Sequence, residues 1–597
     1  MNKHYRNLTS EEVSLLERQG NRAGDWTRVR VADGFCPECM VGSSFDGDVA
    51  LGVIAPGRRT DGDLALREGV YNSVLADCMV GDHPAIHNVR MLSNYHVGDN
   101  VLLFNIDEMT CTDDPHNVAW LEPMNENGGR RLLPASGMTV GDAYMWARYR
   151  GHSAFTKKLE QFTYDLLSTD EGRYGRIGDC CTIKNTQSLH NITVRSSSDD
   201  PSRIDSCIAL SDGVMGFGCT LEYGVIAARF LLGEHVHLEF GLRLNDTVVG
   251  DNSTLARCEV GSSLIFPAHE QHHNNSFLIA ALVMGQSNVA AGGTIGSNHN
   301  SRTADGELAA GRGFWPGLCC SFKHSSRFAS YSLLAKADYP AELDIKLPFA
   351  LVNNNIGKDR LEVMPAYWWM YNMYALDRNS RKFAKRDKRC YKAQHIEFDT
   401  LAPDTAEEIL AGMELLCGWI ADAKDGTVYA YGMENSKRPT VILKAAEGLK
   451  AYEDMLVYYA MNRLTATYGE ALPPIQPKAE REWVNIGGQL VGRTDMEQII
   501  ADVESGVIGS WQQLHERMDT LWQAYPTLVC AHAYNVLCTL SGTPTLDEDA
   551  WQRFRTRHSE IQDYVERQKT ASRKKDDENP YRRMTFWDDA ERDAVIE

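Results

Sequence analysis

Three histidines fall within five residues in Pro267-Ala268-His269-Glu270-Gln271-His272-His273-Asn274-Asn275. Imidazole is the commonest zinc ligand, so His269, His272 and His273 invite a metal reading. The alternative is a polar loop that lines a substrate groove together with His299. Beyond His299 the chain reads NSRTADGELAAGRGFWPG, a polar, Gly-rich stretch carrying Arg302, Asp305, Glu307, Arg312 and Trp315. Guanidinium groups at Arg302 and Arg312 could neutralise a substrate phosphate, and Trp315 could stack on a ring. Downstream, eight basic residues lie between Arg378 and Lys392. In an acidic chain that run forms either an anion pocket or a helix laced with ion pairs. Cys36-Pro37-Glu38-Cys39 resembles half a zinc ribbon, but no second Cys-x-x-Cys completes four ligands, so it is read as a turn. The sequence contains no GxxxxGK[ST] loop, no GxGxxG after a clear strand and no Gly-x-Ser-x-Gly elbow.

Something must position these side chains, and the first two thirds of the chain repeat. The word is an apolar residue, Gly, two small or polar residues, then a small or apolar residue. It occurs as Val97-Gly98-Asp99-Asn100-Val101, Ile177-Gly178-Asp179-Cys180-Cys181, Leu232-Gly233-Glu234-His235-Val236 and Val249-Gly250-Asp251-Asn252-Ser253. Val80 to Val97, Met215 to Leu232 and Leu232 to Val249 are each 17 residues. Ile177, Ile183 and Leu189 are six apart, which makes three faces per turn of a triangular coil. The leading apolar residue and the small one four positions later are expected to point inward. Gly and Asp or Asn are expected at corners, where positive φ costs them little. His235 and His237 flank the inward Val236 and should face outward.

On these words and this spacing, about residues 35–355 resemble the left-handed β-helix of the hexapeptide-repeat superfamily, which includes sugar and amino-acid acyltransferases. The whole chain also looks like an uncharacterised family of bacterial proteins joining such a β-helix to a helical tail. The resemblance implies a transferase moving an acyl group, with acyl-CoA as co-substrate, to a sugar or sugar nucleotide; His299 would be its general base. It implies substrate binding by His269, His272, His273, Arg302, Arg312 and Trp315, no permanently bound cofactor, and a homotrimer with sites between neighbours. The γ-class carbonic anhydrases of this superfamily hold zinc with three histidines, but the spacing here does not match theirs, and no metal is assigned. At His299, an imidazole stands at the inward small position. It should not fit a narrow prism, so the chain is expected to leave the coil there. The alternative function is a non-catalytic binding or assembly module with the prism as a rigid scaffold.

The expected organisation is a capping helix and lead-in over 1–34, with Thr9 and Glu12 at capping-box spacing. The β-helix follows over 35–355, with a partly helical insert at about 106–175. An aromatic and basic connector spans 356–400, and an all-α domain over 401–597 caps the open end. The fold class is therefore mainly β in front, α behind. Lys and Arg number 61 and Asp and Glu 81, a net charge of -20, which disfavours nucleic acid and anionic membranes as partners. The longest apolar run, Phe277–Met284, is far short of a membrane span. No signal-peptide pattern opens the sequence, and its 15 cysteines include the doublets Cys180-Cys181 and Cys319-Cys320. These features point to reduced thiols in the cytoplasm.

Overall fold

The computed structural model describes residues 4–112, 119–125, 129–169, 175–296, 306–577 and 579–596. His299 and Arg302 lie outside them. The 17-residue spacing translates directly into stacking. Val80 pairs in parallel register with Val97, Val97 with Ile177, and Ile177 with Val194. The same column runs on through Met215, Leu232, Val249, Ile265 and Val283 to Ala310. All of these side chains are buried. Ile183 lies on a second face, a ladder of ten parallel strands in which it stacks between Leu103 and Ile204. Leu189 lies on the third, between Met109 and Leu210. The front portion is thus a three-sided parallel β-solenoid.

Two local expectations are corrected. Positive φ falls on Asn100 and Asn252 as expected, and on Cys180 and His235, but not on the glycines two positions before them, although Gly285 and Gly296 do have it. Glycine is needed because the next coil comes too close: a Cβ on Gly216 would sit 2.4 Å from the Gly233 carbonyl oxygen. The aspartate after it has a separate task, accepting a backbone N–H from the neighbouring coil. Asp99 Oδ1 receives the Asp82 N–H at 2.7 Å, and Asp179 Oδ1 the Asp99 N–H at 2.8 Å. Second, imidazole does fit inside the prism. His269 is fully buried, with Nδ1 2.8 Å from Ser287 Oγ and Nε2 3.1 Å from Gln271 Oε1, and Gln271 Nε2 donates to Ser276 Oγ at 3.0 Å. A polar rung replaces aliphatic ones, and each member has a partner.

The first coil begins earlier than the repeat words indicate. Arg22–Ala23 pairs with Ser44–Asp46, and Val29–Ala32 with Val49–Leu51, so solenoid strands occupy part of the 1–34 lead-in. The helix Ser10–Arg18 precedes them, closed by the expected Thr9–Glu12 capping box. The insert contributes two helices, Val140–Arg148 and Ser153–Leu167, rather than one continuous run. They lie on the outer side of one solenoid face. Leu231, Val248, Leu264 and Leu282 point outward there and form a second core with Tyr144, Phe155 and Leu159 of the insert and Ile499 and Leu514 of the tail.

The C-terminal region is helical, with short strands added. It does two things. Leu351–Asn355 pairs with Leu333–Leu334 on one side and antiparallel with Arg360–Met364 on the other; Thr440–Ile442 extends the sheet and closes the solenoid's end. The chain then runs back along the coils. Cys390 N donates to Asp200 Oδ2 at 3.0 Å, and the Lys392 and Ala393 N–H groups bind the Glu234 carboxylate at 3.0 and 3.1 Å. The long helices are Pro403–Ala421, Ala445–Tyr468, Trp511–Ser541 and Glu548–Asp577. Among the described residues no helix is long and apolar enough to cross a membrane.

Candidate functional site

The described residues among those singled out from sequence do not converge. His269 is inside the prism. His272 and His273 are side by side on the outside, ring centroids 4.6 Å apart, with His272 Nδ1 3.1 Å from Glu270 Oε2. Gly296 and Gly306, which flank the undescribed stretch holding His299, belong to a different corner. Thr294–Ile295 stacks on Phe277–Leu278, and Leu308–Ala310 on Ala281–Val283, so the chain departs beside Ala280, whereas His272 and His273 precede Phe277. Among the described residues no group of three His, Cys, Asp or Glu side chains is placed to hold a metal ion.

The basic run is matched rather than open. Arg386 and Lys382 both pair with Glu270, at 2.9 and 3.3 Å. Arg389 is buried between Asp251 and Asp387 and donates to the Gln394 carbonyl at 2.7 Å. Burial pushes the Asp251 carboxyl up to about 6, against the pull of Arg389. The ion-pair alternative describes this segment.

Arg312 is 2% exposed and closes a bidentate pair with Asp404, Nε and Nη2 each 2.8 Å from a carboxylate oxygen; Nη1 donates to the Asp399 carbonyl at 3.0 Å. It clamps solenoid to helices and has no free face for a phosphate. Trp315 packs on Trp368, 5.7 Å between centroids. Next to this clamp is a second buried acid, Glu408, which accepts the Ser330 N–H at 2.9 Å and its hydroxyl at 3.1 Å. Burial, and then the neighbouring Asp404 charge, push Glu408 up to about 7 from an ordinary 4.5. Between those pH values the folded chain holds a proton that the unfolded chain has lost, so Glu408 makes stability fall as pH rises from about 5 to 7. Glu408→Gln removes that dependence. Relative to wild type, the variant should gain about 2.5 kcal/mol between pH 5 and pH 8 in urea unfolding. An unchanged difference at the two pH values would contradict the assignment.

The same junction opens into a cleft of about 670 Å³ in the helical region. Its walls include Trp369, Tyr458, Tyr459, Trp522 and Tyr525, with Glu397, Asp399, Asn462 and Arg463. Trp522 stacks between His395 and Tyr525, at 5.1 Å to each. Pro526, inside the Trp511–Ser541 helix, cannot donate to the Trp522 carbonyl, leaving an acceptor on this wall without its helical bond. Arg463 pairs with Asp399. Tyr525 donates its hydroxyl to Glu397 at 2.7 Å, and burial, followed by Asp399, raises the Glu397 carboxyl. Trp369 is 2% exposed and its indole N–H has no hydrogen-bond partner. Behind Tyr459 is a chain of polar groups: its hydroxyl is 2.9 Å from His532 Nδ1, and His532 Nε2 is 3.0 Å from Glu407 Oε1. A larger groove of about 950 Å³ lies between the Ala445–Tyr468 and Glu548–Asp577 helices, but it is shallow and Arg557 is held by Glu453 and Asp454.

Glu407, Glu408 and Asp404 stood in the sequence only as a helix start, and Trp369 only as part of an aromatic cluster. Tyr459 and His532 carried no local signal. A family model described as "Domain of unknown function (DUF4954)" matches residues 5–419, more than two thirds of the chain. The chain belongs to the DUF4954 family. A relative from Treponema pallidum (strain Nichols), described as an uncharacterized protein, is 39% identical over 99% of this chain and 90% of its own length. The DUF4954 match takes in the Arg312–Asp404 clamp and Glu408 and ends within the Pro403–Ala421 helix. The likeness to the relative continues through Tyr459 and His532.

Proposed function

We propose that this DUF4954 protein is a small-molecule binding module in which the solenoid is the rigid scaffold and the cleft of the helical region is the site. One observation carries the reading. The cleft of about 670 Å³ is walled by the rings of Trp369, Tyr458, Tyr459, Trp522 and Tyr525. The aromatic walls favour a flat ligand, and the paired charges favour one without a large net charge. The test is a thermal-shift panel of acyl-CoA, sugar nucleotides, divalent metals and planar phenols against the full chain and Ala466→Trp. Ala466 is exposed at the cleft, so tryptophan there fills the site from the rim. A planar phenol should raise the wild-type midpoint and leave the variant's unchanged. Equal responses in both proteins, or none in either, would overturn the reading.

A second reading is acyl transfer to a sugar or sugar nucleotide by a hexapeptide-type trimer. The adjacent, outward-facing His272 and His273 favour it. A sugar hydroxyl or amine would attack the thioester carbonyl, forming the new acyl bond as the C–S bond breaks. The proton would pass to His299 and on to the departing thiolate. His299→Ala should abolish acyl transfer from acetyl-CoA with the fold intact, and full retained activity would count against it.

A further inference from the structure

We propose that Glu407, His532 and Tyr459 form a proton relay whose outer end, the Tyr459 hydroxyl, takes a proton from a phenol or enol bound in the cleft. This rests on the cleft being a ligand site. Three observations support it. The relay is continuous, at 2.9 and 3.0 Å, and its middle member is 1% exposed. Its orientation is fixed: Trp483 meets the His532 ring edge-on at 6.0 Å and 90°, and Arg481 holds the far side of Glu407 at 3.2 Å. Tyr459 lines the cleft while the other two do not, so the chain links the cleft wall, through the buried His532, to the partly exposed Glu407.

The arrangement has the logic of a nucleophile, base and orienting carboxylate, with a phenol in the first place. The ligand hydroxyl gives its proton to the Tyr459 oxygen as the Tyr459 proton passes to His532 Nδ1. The resulting imidazolium is held through Nε2–H by the Glu407 carboxylate. Only O–H and N–H bonds change, and the ligand is left as an oxyanion. The charged and titratable groups around Tyr459 are Arg463 on its own helix, Glu397 of the connector, Asp404 of the Pro403–Ala421 helix, and Tyr525, Cys530 and His532 of the Trp511–Ser541 helix. Arg463 is the cation among them that lines the cleft, and it would face the oxyanion.

The probe is 4-nitrophenol, which turns yellow on losing its proton. Binding to the full chain is read by tryptophan fluorescence quenching, and the ionisation of the bound probe by its visible absorbance across pH. Wild type should shift the bound probe's titration midpoint down by about one pH unit, a tenfold change in its ionisation equilibrium. Tyr459→Phe should still bind the probe, though more weakly, and the bound probe should lose the shift. His532→Gln, which keeps a donor toward Glu407 but no base, should behave alike. Circular dichroism confirms the fold, and if the buried histidine variant fails to fold, Tyr459→Phe decides alone. Binding with the shift retained in Tyr459→Phe would overturn the relay and leave the cleft reading standing. Absence of binding to wild type would overturn both.

Discussion

Arg312→Met should destabilise the protein by about 3 kcal/mol, because it leaves the largely buried Asp404 carboxylate without its partner. Arg312 is 2% exposed and makes three hydrogen bonds, two to that carboxylate and one to the Asp399 carbonyl. Glu408 and Glu397, both buried, sit in the same region and would join Asp404 in an uncompensated acidic cluster. Burial opposes the guanidinium charge, and the surrounding carboxylates override it, so its pKa moves up on folding. The pair as a whole is a different matter from one broken half. Arg312→Met combined with Asp404→Leu should recover most of the loss, since two matched apolar chains remove both desolvation costs. Urea unfolding followed by circular dichroism reads both. A loss below about 1 kcal/mol in the single variant would mean that the clamp is hydrated rather than buried.

Phe230→Ala should cost about 3–5 kcal/mol, and here the neighbour explains the number. Phe230 pairs with Gly213 in one adjoining coil and Thr247 in the other, all inside the prism. A Cβ on Gly213 would meet the Phe230 ring at 2.1 Å. Glycine is therefore the space that the ring fills. Gly213→Leu alone should destabilise by about 1–3 kcal/mol or more through overpacking. The double variant, leucine over alanine, should be more stable than the sum of the singles by at least about 1 kcal/mol. Strict additivity would show that the two coils do not share this volume.

The solenoid was legible because its side chains answer to a strict repeat. A buried column demands an apolar residue at each return of the coil, and Val80, Val97, Met215, Leu232 and Val249 declare it. The spacing failed where a loop was inserted, so the returns from Val97 to Ile177 and from Val194 to Met215 could be found only by register. The lead-in was misplaced for a related reason: Arg22–Ala23 and Val29–Ala32 stack on the next coils without the repeat word. His269 shows the converse error. It was read as a metal ligand or part of a groove-lining loop, yet its ring is inside the coil, where Ser287 and Gln271 provide its hydrogen bonds and Ser276 accepts from Gln271.

The cleft was not legible at all. It assembles from Trp369, Glu397, Tyr459 and Tyr525, separated by up to 156 residues, and nothing local in helical periodicity marks which polar groups will face one another. Arg312 illustrates the same limit. A Gly-rich loop with an arginine looks like a phosphate site until a helix start 92 residues later brings Asp404 onto it. The tail's long helices were recognisable one by one; their return along the solenoid depended on backbone bonds from Cys390, Lys392 and Ala393 to Asp200 and Glu234, which no pattern announces.

Calorimetric titration of the full chain with 4-nitrophenol, beside Ala466→Trp, tests the central claim most directly. The cleft predicts saturable one-to-one binding to the wild type that the rim tryptophan removes. Heat that never saturates, or an identical isotherm for both proteins, would place the ligand elsewhere and contradict it.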